Sequence, residues 1–147
     1  MSAVTFLPFR SRDKDALNRL LEAENLPTAD LTAAVLENFL VAHADDAVVG
    51  AAGLEQHGNV ALLRSVVVAP LLRGTGLGKR LVQEIEKRAD KFGVTYLYLL
   101  TTTADSFFTA QGYVPVPREE APVAIRKTAE FSHLCPASSV FMKKNLE

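Results

Sequence analysis

A single α/β domain is the fold this sequence predicts, and three observations predict it. Val60 to Val68 is a nearly continuous apolar run, interrupted by Arg64 and Ser65, and a second such run spans Val94 to Leu100. Between them a glycine-rich stretch, Leu71 to Gly78, leads into a segment whose apolar positions Leu81, Val82, Ile85 and Ala89 recur at helical spacing. Strand, loop, helix, strand is a βαβ unit, whose crossover is expected to be right-handed. The chain's 147 residues fit one domain over residues 1–147, and 48% hydrophobic content is enough for a core.

The other elements follow from local pattern. Val4 to Phe9 reads as a first strand. Ser11 offers a cap for a helix from Asp13 to Glu24, where Ala16, Leu17, Leu20 and Leu21 form an apolar face. Asn25-Leu26-Pro27-Thr28 breaks it, and a second helix is expected from Asp30 or Leu31 to Glu37. Phe39 to Ala44 and Ala47 to Leu54 read as strands joined at Asp45-Asp46, and His57-Gly58-Asn59 as the next hairpin turn. Pro70 stops the strand that ends at Val68, and Gly93 stops the long helix that runs to about Phe92. Beyond the βαβ unit, Thr102 or Thr103 caps a short helix through Gln111, with Gly112 as its stop. Tyr113 to Val116 and Ser138 to Lys143 are the last strands, separated by a Pro117–Pro136 insert with a helix around Val123 to Leu134.

Several functions are disfavoured by composition. The formal net charge is −1, without the basic stripe of a nucleic-acid partner. Three histidines and one cysteine lie scattered, without zinc-ligand spacing, so no metal is expected. Cys135, the lone cysteine, excludes an intrachain disulfide; it reads as a structural thiol or a nucleophile, and His133 nearby does not establish a catalytic pair. No apolar run approaches the roughly 20 residues of a membrane helix. Met1 to Arg10 lacks the pattern of a secretory signal, so a cytoplasmic protein without membrane contacts is expected.

The glycine loop reads Arg73-Gly74-Thr75-Gly76-Leu77-Gly78-Lys79. Closely spaced glycines let backbone N–H groups approach an anion, and the following helix adds unpaired amides and the positive end of its dipole. Such a loop suits a phosphate or pyrophosphate. A nucleotide P-loop would need a hydroxyl residue after its lysine, and Arg80 follows Lys79. A dinucleotide loop would need glycine where Lys79 stands. Coenzyme A and a structural turn without ligand remain.

Val68-Ala69-Pro70, then Arg73 to Gly78, then the helix from Lys79, resemble the acetyl-CoA motif of the GNAT N-acetyltransferase superfamily. That motif is Arg/Gln-x-x-Gly-x-Gly/Ala after a strand ending in Val-x-Pro, and every fixed position is matched. The order of elements and Gly112-Tyr113 are similar to the family's as well. The resemblance implies a central mixed, mostly antiparallel sheet of about seven strands, splayed between strands 4 and 5 and flanked by helices. It implies acetyl-CoA as co-substrate. Backbone groups of Val66, Val67 and Val68 would pair with the pantetheine arm. Amides of Arg73, Gly74, Thr75, Gly76, Leu77, Gly78 and Lys79 would hold the pyrophosphate, and Thr103 and Phe108 would complete the cofactor wall.

The C-terminal half is similar to a GNAT subgroup associated with arsenic-resistance operons. The resemblance rests on Leu62-Leu63-Arg64-Ser65, Tyr98 to Ala104, Phe107-Phe108, Pro122, Ile125, Thr128, Glu130-Phe131 and Leu134-Cys135-Pro136. It implies a detoxifying transfer to the α-amine of a glutamate-like phosphinate or arsenical. One departure matters: many GNAT enzymes carry a tyrosine that protonates the leaving thiolate, and Phe108 stands in its place. Phenylalanine has no proton to give.

On the acceptor side, Arg64 interrupts a buried strand, and a buried charge needs a partner. Either its fork binds a substrate carboxylate or phosphinate, or it forms an internal salt bridge or faces solvent. Arg118, in the insert, is a second candidate for the substrate or a surface charge. Glu130 meets an amine or pairs with Lys127 or Arg126, and Glu55 is a remote base through water or a surface charge. The expected partners are acetyl-CoA, a small amine and a second copy in a homodimer. A non-catalytic acyl-CoA-binding module and a protein N-acetyltransferase are the rival readings.

Overall fold

The computed structural model describes residues 3–147 as seven strands and five α-helices. In order they are β1 (Val4–Pro8), α1 (Lys14–Ala23), α2 (Ala33–Leu36), β2 (Leu40–Ala44), β3 (Ala47–His57) and β4 (Val60–Val68). There follow α3 (Leu77–Lys91), β5 (Tyr96–Thr101), α4 (Asp105–Ala110), β6 (Val114–Pro115), α5 (Val123–Arg126) and β7 (Val140–Asn145). The strands form one seven-stranded sheet, ordered β1-β2-β3-β4-β5-β7-β6. Every neighbouring pair is antiparallel except β4 and β5, which are parallel and joined through α3. The expected mixed sheet flanked by helices is the observed one.

β4 and β5 pair only at Val60↔Tyr96, Ala61↔Leu97 and Leu62↔Tyr98; Leu63 to Val68 continue without a β5 partner. A bulge in β4 explains the divergence. Gly53 lies opposite Arg64, yet Ala51 lies opposite Val67, so β4 carries an extra residue there. Ser65 takes it up with φ 57°, a left-handed conformation uncommon for a residue with a side chain. Bulges bend a strand and sharpen its twist. The bulge also resets the alternation of side chains: Leu63, Val66 and Val68 pack on one face of the sheet, Leu62 and Val67 on the other.

Helix α3 buries Leu77, Leu81, Val82, Ile85 and Ala89 against Ala42, Ala52, Leu54 and Leu63, as its periodicity predicts. On the opposite face, Leu17, Leu21 and Leu36 from α1 and α2 cover Ala51 and Val67 together with Phe39. Ile125 of α5 packs with Leu62, Tyr98 and Phe141 on that side too. The Phe39 ring lies directly over Gly53, where an added Cβ would collide with it. Gly53→Ala is expected to cost about 1–3 kcal/mol through overpacking, measured as a lower midpoint in urea unfolding.

Several boundaries differ from the sequence expectation. Ser11 does not cap α1; Ser11–Asp13 forms a 3-10 turn, and the Asp13 carboxylate accepts the Arg10 N–H at 3.0 Å and meets His43 Nε2 at 2.9 Å. The second helix begins later, capped by Thr32, whose hydroxyl accepts the Val35 N–H. Val94 is not yet strand: its N–H returns to Ala89 O and closes α3. The insert holds α5 and a π-helical turn, Glu130–Leu134, instead of one helix. Thr128 separates them, donating its hydroxyl to Ile125 O and accepting the Phe131 N–H, local bonds that compete with a continuous helix. Among the described residues no helix is long and apolar enough to cross a membrane. Met1 and Ser2, the start of the stretch read for a secretory signal, lie outside the described residues.

Candidate active site

Where β4 and β5 diverge, a cavity of about 520 Å³ opens between them. Val66 to Val68 form one wall and Leu99 to Thr101 the facing one. Val67 and Val68 still pair with β3, opposite Ala51 and Gly50, and none of Val66–Val68 has a partner on β5. Unpaired N–H and C=O groups along an opened strand are what a ligand carrying amides can satisfy.

One end of the cavity reaches the glycine loop through Arg73 and Gly78. Gly74 and Gly76 have φ of 77° and 87°, and a Cβ on either would meet nothing within 4 Å. Glycine is therefore needed there for backbone conformation, and the space above the loop stays open. Gly76 precedes α3 without a side-chain cap, and the first intrahelical bond is Arg80 N to Gly76 O. The amides of Leu77, Gly78 and Lys79 are thus left at the positive end of a 15-residue helix. The Leu77 side chain is buried in the core, so only its backbone is available to a ligand. Thr75 spends its hydroxyl on Leu72 O, which holds the turn. Arg73 pairs with Glu24 at 2.6 Å; both are largely exposed, so the pair is weak and the guanidinium can turn to an anion. Lys79 is exposed and outside the cavity lining.

Thr102 and Thr103 border the cavity at the end of β5, and Phe107 and Phe108 of α4 close it. The Phe108 ring stands edge-on to Phe107 at 5.0 Å and to Tyr113 at 5.6 Å, so it is both core and wall. Tyr113, the phenol beside it, is no substitute proton donor. Its hydroxyl donates to Glu86 at 2.8 Å, away from the cavity, and burial together with Glu86 raises its pKa well above the ordinary phenol value.

The other end is built around Arg64, whose side chain is fully buried. Nη1 donates to Asp30 and, at 2.6 Å, to Glu55; Nη2 donates to Asp30 Oδ1 at 2.8 Å and meets Glu130 Oε2 at 3.1 Å; Nε donates to the Ser65 hydroxyl at 3.2 Å. Of the readings offered by the sequence, the structure contains the internal salt bridge. Burial works against the guanidinium's charge, and bonding to Asp30 with the charges of Glu130 and Glu55 more than reverses this, raising its pKa. Glu55 and Glu130 are corrections too: Glu55 is not a surface charge, and Glu130 pairs with Arg64, not with Lys127 or Arg126.

One cation thus serves three carboxylates. Glu130, the most buried of the three, is pushed up to about 7, chiefly by burial; Arg64 opposes this while Asp30 and Glu55 add to it. Its neighbour Cys135 is pushed up to about 12 by burial and by the charge of Glu130, so at neutral pH it is a thiol and a poor nucleophile. Arg118 does not line the cavity. Its Nη2 donates to Pro136 O and Ser139 O at 3.2 Å each and the guanidinium covers the Phe131 ring, tying down the segment before β7. Two features of the site went unread in the sequence, the bulge at Ser65 and Asp30 as a partner of Arg64. Ser65 gives no signal; the second was foreshadowed by Arg64, which as a buried cation required acids from elsewhere in the chain.

Residues 36–115 match the acetyltransferase (GNAT) domain family. An amino-acid acetyltransferase of Ralstonia nicotianae is 32% identical over 111 residues, 74% of this chain and 24% of that protein. The chain thus spans about a quarter of the length of that relative. The fold is similar to N-acetylglutamate synthase from Neisseria gonorrhoeae complexed with coenzyme A and L-arginine, with a TM-score of 0.85, 20% identity, and coverage of 100% of this chain and 34% of that one. It is also similar to Rv2747 from Mycobacterium tuberculosis in complex with CoA, with a TM-score of 0.82, 20% identity and coverage of 97% and 99%. At these identities the structural likeness speaks for the fold.

Proposed function

Because this chain belongs to the GNAT acetyltransferase family, we propose that it transfers the acetyl group of acetyl-CoA to the amine of a small amino compound, with the β4–β5 cavity as its active site. The observation that carries this reading is one continuous cavity, with an anion-ready loop at one end and a buried, carboxylate-rich cluster at the other. In it the amides of residues 74–79 hold the pyrophosphate with the Arg73 side chain beside them, whereas the Arg73 N–H, expected to join them, is given to Pro70 O. The unpaired backbone of Val66–Val68 binds the pantetheine amides as a further strand would. A backbone N–H of the same segment stabilises the oxyanion as the amine attacks the thioester carbonyl. Thr103 and Phe108 wall the thioester and exclude water.

No side-chain acid is assigned to the leaving thiolate. A thiol pKa of about 8.5 makes thiolate a competent leaving group near neutral pH. Placing amine and thioester together can lower a barrier by about 7–11 kcal/mol in favourable cases. Phe108 is accommodated on these terms. It also favours a second reading, a module that binds acyl-CoA without turnover.

The acceptor is read as an amino acid or a close relative, on the similarity to an amino-acid acetyltransferase. The arsenic-resistance resemblance narrows it to a glutamate-like phosphinate or arsenical. Such an anion would reach Arg64 by displacing one of its carboxylates, or Arg118 by displacing backbone carbonyls. Thiol release from acetyl-CoA, measured with amino acids, glutamate-like phosphinates and arsenicals, polyamines and a peptide, tests the reading. Turnover with free amino compounds and none with the peptide is the expected result. CoA binding without turnover on any amine would favour the second reading.

A further inference from the structure

We propose that Glu130 is the catalytic base of this site, taking a proton from the acceptor's ammonium group before the amine attacks. The inference rests on the acetyltransferase reading above and names a residue for it. Of the three carboxylates on Arg64, Glu130 alone lines the cavity. It also makes the longest contact with the guanidinium, at 3.1 Å, through Oε2. Asp30, by contrast, is held by two bonds and Glu55 by one of 2.6 Å. A second polar group lining the cavity points to a ligand: Ser139 is 6% exposed, and its buried hydroxyl has no hydrogen-bond partner among the described residues.

The chemistry suits the task. Three carboxylates around one guanidinium leave an excess of negative charge, which attracts an ammonium group. The groups facing Glu130 are Arg64, Asp30, Glu55 and the Cys135 thiol, and Arg118 lies near that thiol. Together with burial they hold its carboxyl at about 7, close to the operating pH at which a base is most effective. In the step, an N–H bond of R–NH3⁺ breaks and an O–H bond forms on Glu130. The freed lone pair forms the C–N bond to the thioester carbonyl carbon. The C–S bond then breaks with its electron pair on sulfur, the thiolate takes the surplus proton from nitrogen, and Glu130 releases its own proton to solvent.

The test is the pH dependence of kcat/KM with the best acceptor, for the wild type, Glu130→Gln and Cys135→Ala. Wild-type activity should fall as pH drops through about 7. Glu130→Gln keeps the shape and a hydrogen bond to Arg64; it should lose at least about 100-fold in kcat/KM and lose that acid limb. CoA affinity and the thermal midpoint are measured alongside to separate chemistry from folding. Cys135→Ala removes a thiol that bonds to Glu130 and lowers its pKa, so the acid limb should move to higher pH. Wild-type turnover with an unchanged rate and limb in Glu130→Gln overturns this inference alone. A wild type that turns over no amine overturns the inference and the functional reading together.

Discussion

Arg64→Met is expected to lose about 3–5 kcal/mol of stability, the usual scale for removing one side of a buried ion pair. The loss comes from what remains: Asp30, Glu55 and Glu130 share one guanidinium. With it gone, the folded state favours the protonated form of this cluster across the ordinary carboxylate range and above it, because ionised groups there are buried without a cation. The native state then binds more protons than the unfolded state, so stability falls as pH rises through that range. The variant should be nearest the wild type below about pH 4, where both states are protonated, and furthest from it near pH 8. Even the wild type carries a little of this behaviour. Glu130 sits at about 7 against an ordinary 4.5, so its contribution declines between those values and is level above them. Urea unfolding at pH 5 and pH 8 measures the difference; an equal loss at both would mean that packing, not charge, is what Arg64 supplies.

Gly76→Asp should weaken CoA binding by a factor of about 100 or more. Two effects add. At φ 87° a side chain strains the backbone, at a cost of order 1–3 kcal/mol. The carboxylate also enters the open space above the loop, at the N-terminus of α3, where the proposal seats the pyrophosphate. Two negative groups would compete for the amides of Leu77 to Lys79. Gly76→Ala isolates the strain and should have a smaller effect. Calorimetric titration with CoA reads both, and equal affinities in Gly76→Asp and the wild type would place the pyrophosphate elsewhere.

What the sequence revealed, it revealed through periodicity and punctuation. Val60–Val68 is a strand with the expected bounds because an apolar run meets Pro70, and α3 follows its apolar stripe to Gly93. The loop was legible because positive φ at Gly74 and Gly76 is a demand that only glycine meets cheaply. The acceptor end was not legible in this way. Asp30, Glu55 and Glu130 come from a loop, a strand and a π-helical turn, and only the folded chain brings them to Arg64. The bulge that turns β4 away from β5 depends on Ser65 accepting a conformation its type disfavours, imposed by β3 pairing on both sides. The insert misled because Thr128 looks neutral within a helical pattern, yet its hydroxyl satisfies backbone groups and ends α5.

Acetyl transfer itself is most directly tested by incubating the wild-type protein with acetyl-CoA labelled in the acetyl group and an amino-acid acceptor, then following the label by mass spectrometry. The account predicts one labelled acetyl group on the acceptor nitrogen for each CoA thiol released. Label found only in free acetate, or retained in acetyl-CoA that stays bound to the protein, would contradict it.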